Sequence, residues 1–149
     1  LLLVAISSSA LMAQNKDTKK ADGFYDRLAY TDAADEYQKL LKRNKGDRYV
    51  YERLANSYFF INESKKAETY YKRVVKGRNV KPATVFNYAQ SLKANGKYAE
   101  SNEWMRKFAE MKPNDNRAME FMKNPDYLPQ LLEKKPKFRL WINFYCRFF

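Results

Sequence analysis

The sequence repeats itself at an interval of 34 residues, and this periodicity constrains the fold more than any other feature. When the chain is aligned with itself at that offset, three blocks superpose without a gap. Small residues recur at Ala21, Ala55 and Ala89, and a large apolar or aromatic residue follows three positions later in each block. The remaining recurrent positions are Ala33, Ala67 and Ser101, then Tyr37, Tyr71 and Met105, then Leu40, Val74 and Phe108. Such a period indicates a stack of similar units, each of which buries its apolar face against its neighbours.

The order of small, aromatic and apolar residues resembles the tetratricopeptide repeat, which is a helix, a tight turn and a second antiparallel helix. Residues 47–80 match this pattern best, with Tyr51 where that family carries Trp and Ala55 where it often carries Gly. Residues 81–113 match less closely, because Ser101 and Met105 depart mildly from the pattern. Residues 14–46 lack the leading aromatic residue. The resemblance implies an all-α solenoid of three repeats, whose more polar first block suits a terminal position.

Residues 114–136 are predicted to form capping helices over the third repeat. The interval between Pro113 and Pro125 predicts a short amphipathic helix, because proline starts or stops helices at such positions. A further turn and helix is predicted to follow Pro125. The apolar side chains expected to face inward from the first of these helices are Ala118, Met119 and Met122.

The composition excludes most classes of enzyme. The chain has no histidine, which removes the commonest general base and metal ligand. Its single cysteine, Cys146, removes disulfide frameworks and zinc knuckles. No nucleophile elbow, phosphate-binding loop or zincin motif occurs, and we expect the Asp35–Glu36 pair to lie on a solvated helix surface. We therefore predict a non-catalytic binding protein with no cofactor and no metal ion.

The resemblance implies that the first helix of each repeat lines a concave face and that fixed positions of each block point into it. Tyr25 and Phe59 favour an apolar groove for a peptide or helix of a partner protein. A second interpretation stays open, in which Phe59 and Phe60 only pack against a neighbouring helix. Asp22, Glu52 and Phe60 occupy groove positions as well. The predicted partner-binding residues are Tyr25, Tyr49, Arg53, Asn56, Phe59, Phe86, Asn87, Gln90 and Lys93.

Two asparagines in the groove raise the question of a carboxylate ligand. Asn56 and Asn87 stand where the carboxylate-clamp members of the family hold the C-terminus of a partner. Glu52, however, stands where those members carry Lys, and an anion there repels a carboxylate. We therefore expect an apolar partner segment rather than a C-terminal carboxylate.

The charge balance leaves an alternative function open. The chain carries 29 Lys and Arg against 17 Asp and Glu, a net charge of +12. Clustered cations are typical of proteins that bind anionic lipid or nucleic acid, but they are also typical of solvated outer helices. The alternative is therefore a basic adapter held electrostatically. Since an exported protein rarely meets nucleic acid, we expect no nucleic acid partner, and peripheral association with a membrane stays open.

The two ends of the sequence differ from its middle. Residues 1–13 form an uncharged apolar run that is too short to span a bilayer, for which about 20 residues are needed. They match the apolar part of a secretory signal whose basic start is missing, and a buried N-terminal helix is the alternative. Residues 137–149 are rich in aromatic residues without helical or strand periodicity. We interpret them as a truncated or frameshifted end, with a membrane-interface segment or an unpaired strand as alternatives.

A wider resemblance concerns residues 17–33, 54–60 and 124–129. These segments are similar to the N-terminal region of large envelope proteins that end in an outer-membrane-protein-A-like, peptidoglycan-binding domain. Some of those proteins belong to the type IX secretion and gliding apparatus. The resemblance implies export to the periplasm, association with the outer membrane and a protein partner in the cell envelope. Binding of peptidoglycan would belong to a further C-terminal domain and not to these residues.

Overall fold

The computed structural model describes residues 17–133, and these residues form α-helices and no strands. The all-α prediction is therefore confirmed for this part of the chain. The predicted leader at 1–13 and the aromatic tail at 137–149 lie outside the described residues. In order, the helices are α1 (Lys19–Asp26), α2 (Tyr30–Lys42), α3 (Arg48–Phe60), α4 (Ser64–Val74), α5 (Pro82–Ala94), α6 (Tyr98–Met111), α7 (Asn116–Lys123) and α8 (Tyr127–Glu133).

The helices are arranged as three hairpins and a cap. Helices α1 and α2, α3 and α4, and α5 and α6 pack as neighbours, and α2 contacts α3 while α4 contacts α5. Helices α7 and α8 both pack against α6. Among the helices of residues 17–133, none has the length and apolar character needed to cross a membrane.

The turn inside each hairpin repeats the same backbone conformation. Its middle residue is Leu28, Asn62 or Gly96, and these have positive φ angles of 62°, 60° and 77°. The next residue then donates its N–H to a carbonyl near the end of the first helix, as in Ala29 to Phe24 at 3.0 Å. This left-handed closure satisfies carbonyl groups that the helix leaves unpaired and reverses the chain within three residues.

The core follows the 34-residue period. The small residues Ala21, Ala55 and Ala89 of the first helices are buried, as are Tyr37 and Tyr71 of the second helices. Small side chains let the two helices of a hairpin approach closely, and the aromatic rings fill the space beside the contact. One buried cluster spans α1 to α5, and a second, which includes Met105, Phe108 and Ala118, lies between α5, α6 and α7.

The capping helix α7 differs from the prediction in one respect. Ala118 is buried and Phe121 packs against the second cluster, but Met119 and Met122 are 47% and 53% exposed. The prediction that these two methionines face inward is therefore wrong. Residues three apart share one face of a helix, so the pair Ala118 and Phe121 covers α6 while Met119 and Met122 lie on the adjoining face.

Leu28 offers a direct test of the repeated turn. A leucine in the left-handed region is strained, whereas glycine is not, and Leu28 is 68% exposed, so its replacement removes little burial. We expect Leu28→Gly to raise the free energy of unfolding by about 0.5–1 kcal/mol. At the equivalent position, Gly96→Ala should lower it by about 1 kcal/mol, although nothing lies within 4 Å of the added carbon. Urea unfolding of both variants gives these values, and changes of the same sign would contradict the assignment.

Candidate partner-binding groove

The predicted partner-binding residues all lie on the first helices of the hairpins. Tyr25 belongs to α1, four of the others belong to α3, and the remaining four belong to α5. Helix α3 contacts α5 directly, so these side chains form a continuous surface, which we call the groove. Eight of the nine are partly buried, and Lys93 is exposed. The groove therefore consists of side chains with one part fixed in the fold and another part accessible.

A single type of contact recurs in every hairpin and ties the groove to the core. A polar residue of the first helix meets a residue of the second helix 15 positions later. In the second hairpin, the hydroxyl of Tyr71 donates to Oδ1 of Asn56 at 2.6 Å. In the third, the amide of Gln90 lies 3.7 Å from the sulfur of Met105. In the second and third hairpins, the contact joins a groove side chain to a buried residue of the second helix.

The corresponding residue of the first hairpin, Asp22, is not in the groove, and the prediction that it faces the groove is wrong. Its side chain is 1% exposed and accepts hydrogen bonds from the hydroxyls of Thr18 at 2.7 Å, Tyr37 at 2.5 Å and Tyr49 at 2.8 Å. Three donors compensate the carboxylate for the water that it loses. Burial, followed by the bond to Asp22, raises the pKa of Tyr37 far above its usual range, so this hydroxyl remains a donor.

Arg53 of α3 lies between the ring of Tyr25 on α1 and the ring of Tyr49 on α3. Its guanidinium carbon is 4.3 Å from the centre of the Tyr25 ring and 5.2 Å from that of Tyr49. Its Nε donates to the hydroxyl of Tyr49 at 3.1 Å, and that hydroxyl in turn donates to Asp22. Burial raises the pKa of Tyr25, which keeps its hydroxyl neutral. Two cation–π contacts and one hydrogen bond therefore hold the arginine in one orientation.

The aromatic residues at the end of α3 pack against rings of neighbouring helices, and their role in binding a partner stays a prediction. The ring of Phe59 lies 6.4 Å from that of Tyr71 and 5.6 Å from that of Phe60, so it packs at the margin of the core. Phe60 is exposed and stacks on Tyr30 at 4.6 Å, and Tyr30 meets Tyr25 at 5.2 Å. These rings form an apolar strip along the α1 end of the groove.

Glu52, which appeared to oppose an anionic ligand, is already engaged. Its carboxylate accepts hydrogen bonds from Thr84 at 2.6 Å and from Lys81 at 3.0 Å, and its side chain is 12% exposed. Both partners come from the start of the third hairpin, so this contact joins α3 to α5. The charge of Glu52 is therefore compensated within the fold and is not presented to a ligand.

The α5 end of the groove opens into a cavity of about 620 Å³ between α5, α6 and the cap. Of the predicted residues, Phe86, Gln90 and Lys93 line it. The sequence did not single out Arg117, Asn102 or Phe121, which line its other side, because Asn102 belongs to a second helix and the other two follow the third block. The guanidinium of Arg117 covers the ring of Phe86 at 4.3 Å.

Arg117 is held by an ion pair. Its Nε and Nη2 donate to the two oxygens of Asp115 at 2.9 and 2.8 Å, and its backbone N–H donates as well. These hydrogen bonds lower the pKa of the Asp115 carboxyl to about 2. The arginine at this end of the groove is therefore committed to a carboxylate of its own chain.

The acidic pair at Asp35 and Glu36 behaves as a surface feature. Glu36 forms ion pairs with Lys20 at 2.9 Å and Lys39 at 2.8 Å, and these hydrogen bonds lower its pKa. Asp35 is exposed. Within residues 17–133, no group of acidic or cysteine side chains is placed so as to hold a metal ion.

The buried carboxylate gives a stability prediction. Asp22→Ala should lower the free energy of unfolding by about 2–4 kcal/mol, because three buried hydroxyls lose their acceptor. Asp26→Ala, on the exposed face of the same helix, should change it by less than about 0.5 kcal/mol. Chemical denaturation measures both, and equally small effects would place Asp22 at the surface after all.

The Asp115 pair gives a pH prediction. In the folded protein the Asp115 carboxyl should titrate near pH 2 rather than at its ordinary value of 3.8. The pair therefore stabilises the fold above the ordinary value, and its contribution is lost as the pH falls toward 2. Arg117→Gln should raise the pKa of Asp115, although the backbone N–H still holds it below 3.8. Carboxyl NMR titration measures the shift, with Glu120→Gln as a control that leaves it unchanged.

Comparison with known proteins concerns the repeats and the fold. The family model described as tetratricopeptide repeat matches residues 49–76 and 83–115. No curated protein matches the chain significantly. Among solved structures, the first repeat domain of Spaghetti (RPAP3) bound to an HSP90 peptide superposes with a TM-score of 0.62 at 18% identity. This match covers 78% of this chain and 90% of that chain.

Two further structures, both of human RPAP3, show the same likeness. Its first repeat domain gives a TM-score of 0.62 at 17% identity, over 79% of this chain and 93% of that one. Its second repeat domain, in complex with an HSP70 peptide, gives 0.59 at 15% identity, over 80% and 94%. At these identities the likeness concerns the fold alone. Residues 49–76 and 83–115 thus match the tetratricopeptide repeat, and the described residues have the fold of a tetratricopeptide-repeat solenoid.

Proposed function

We propose that this chain is a non-catalytic protein–protein interaction module that binds a segment of a partner protein along the groove. The observation that carries the proposal is the contact repeated at 15 residues, which joins the groove side chains Asn56 and Gln90 to buried residues of the second helices. Side chains that are already ordered lose little conformational freedom on binding, so such a surface favours association. The RPAP3 domains of the same fold are solved with HSP90 and HSP70 peptides, which supports a peptide-like ligand here.

The groove suits an extended or helical segment with mixed character. Its α1 end offers aromatic rings from Tyr25 and Phe60, and its middle offers the amides of Asn56 and Asn87. Its α5 end offers a cavity large enough for a bulky side chain. Aromatic anchors supply affinity and amides supply register, as in other grooves that accept a peptide or a helix.

We also propose that the partner is a component of the bacterial cell envelope and that the chain works in the periplasm, associated with the outer membrane. The support is the apolar run at 1–13 and the resemblance to envelope proteins with outer-membrane-protein-A-like domains. Fractionation of cells that express the tagged chain tests this location. A tag recovered only with cytoplasmic markers would contradict it.

The basic adapter remains the second candidate, since residues 17–133 carry 23 basic and 17 acidic side chains. Nine of these basic side chains are paired with acidic residues within the described part, which reduces the charge available to an external anion. Electrostatic binding to lipid or nucleic acid should weaken steeply with salt, whereas binding in the groove should not.

A displayed library of random 12-residue peptides, selected on the immobilised full chain, tests the proposed function. We expect peptides whose affinity falls about tenfold with Tyr25→Ala or Asn87→Ala, since each removes a groove contact. Lys65→Ala, on the exposed face of α4, serves as the control and should leave the affinity unchanged. Circular dichroism checks that the variants remain folded.

The outcome against the proposal is equally specific. Failure to select any peptide would contradict it, and so would peptides that bind all three variants as well as the original chain. The basic adapter would be favoured if the groove variants bound as tightly as the original chain and the affinity fell more than tenfold between 50 and 300 mM salt.

A further inference from the structure

We infer that Arg53 receives the carboxylate of an Asp or Glu side chain from the partner segment, an inference that rests on the proposed function and names the chemistry of its ligand. An internal acidic residue, rather than an apolar one, would then set the register of the segment in the groove. The sequence favoured an apolar ligand, and four features of the structure change that expectation.

The first feature is the charge of Arg53, which has no carboxylate partner among the residues that the structure describes. Among residues 17–133, none of the ion pairs involves Arg53, and its neighbours Tyr25 and Tyr49 are neutral. The guanidinium has five N–H donors in a planar fork; Nε uses one of them on Tyr49, and the guanidinium also hydrogen-bonds the hydroxyl of Tyr25. A carboxylate matches such a fork with two parallel hydrogen bonds, which are stronger than bonds between neutral groups.

The second feature is the rigidity of this arginine. The rings of Tyr25 and Tyr49 fix the plane of the guanidinium, and the Tyr49 hydroxyl is itself anchored on buried Asp22. An arginine that is already ordered loses little side-chain entropy when it binds. Asp22 does not fill the fork itself, because three hydroxyls hold its carboxylate in the core.

The third feature is that Glu52, the acidic residue next to Arg53 in the sequence, does not repel an anionic ligand. The carboxylate of Glu52 is neutralised by Lys81 and also accepts a hydrogen bond from Thr84 on the α5 side. One turn beyond Arg53, the side chain of Asn56 is engaged by the hydroxyls of Tyr71 and Tyr25 and carries no charge. An arriving carboxylate therefore meets the guanidinium of Arg53 without a free acidic neighbour.

The fourth feature is the position of Arg53 along the groove, and it selects a side chain over a C-terminus. The groove extends past Arg53 in both directions, to the aromatic strip around Tyr30 and Phe60 and to the cavity beside Phe86. A segment that occupies both ends crosses Arg53 with its interior. At the α5 end, Arg117 is paired with Asp115, so Arg53 is the better placed of the two groove arginines.

The test uses C-terminally amidated, fluorescein-labelled 12-residue peptides taken from the library selection, measured by fluorescence anisotropy on the full chain. We expect the selected peptides to carry Asp or Glu, and replacement of that residue by Asn or Gln should weaken binding about tenfold. Arg53→Gln should weaken the acidic peptide about tenfold and its amide counterpart less than twofold, which is the signature of a direct pair. Arg43→Gln, an equal change of charge on an exposed residue at the end of α2, should affect neither.

Arg53→Lys keeps the charge but loses the planar fork, and it should fall between the original chain and Arg53→Gln. The peptide substitutions are made on the unaltered chain, so they test the inference even if Arg53→Gln unfolds. Peptides that bind the groove equally well with acid or amide would overturn the inference and leave the proposed function standing. A requirement for a free C-terminal carboxylate instead of the side chain would overturn it too, and failure of any peptide to bind would overturn both.

Discussion

The structure depends on the close approach of two helices at small residues. Ala21, Ala55 and Ala89 are buried where the first helix of each hairpin meets the second. In the third hairpin the contact is close enough for the hydroxyl of Ser101 to donate to the carbonyl of Ala89 at 2.8 Å. A larger side chain at any of these positions would separate the helices and open the core. This contact therefore sets the separation of the two helices within each hairpin.

Close packing also lets buried side chains of the second helices reach polar residues of the first helices. The rings of Tyr37 and Tyr71 are fully buried. Their hydroxyls nevertheless reach the first helix, where they donate to Asp22 and Asn56. A tyrosine here contributes apolar burial with one end and orients a polar residue with the other. Because the repeat conserves this geometry and varies the polar residue, the same position yields a buried anchor in one hairpin and a groove donor in the next.

The sequence predicted the fold because the residues that build it recur at a fixed interval within one chain. The small and aromatic core positions follow from that interval, whereas the helix pairs and the helices assigned to the groove were implied by the resemblance to the tetratricopeptide repeat. Local patterns failed where the decisive partner is distant: the donors to Asp22 come from Tyr37 and Tyr49, and the cation for Glu52 comes from Lys81. The sequence shows which residues are charged, but it does not show which distant residues neutralise them in the fold.

The cap illustrates a different limit. Helix α7 has only eight residues and follows a proline, so its apolar residues Ala118, Met119 and Met122 allow more than one orientation. Contacts decide the outcome: Phe121 enters the cluster beneath α5 and α6, and the methionines turn outward. In a long helix, the periodicity of apolar residues determines which face packs against the core. In a helix of two turns, the packing of a single bulky side chain can determine that face instead.

The two ends of the groove differ in stiffness, and this difference follows from the residues that support them. At the α1 end, Asp22 and two tyrosine hydroxyls form a fully satisfied network that holds Arg53 through Tyr49. At the α5 end, the equivalent contact is a long one between Gln90 and the flexible side chain of Met105, beside an open cavity. A stiff charged site discriminates between ligands by geometry, and a soft cavity accommodates side chains of several shapes. If the groove binds a partner as proposed, we expect α1 and α3 to determine its specificity and α5 and the cap to tolerate varied side chains.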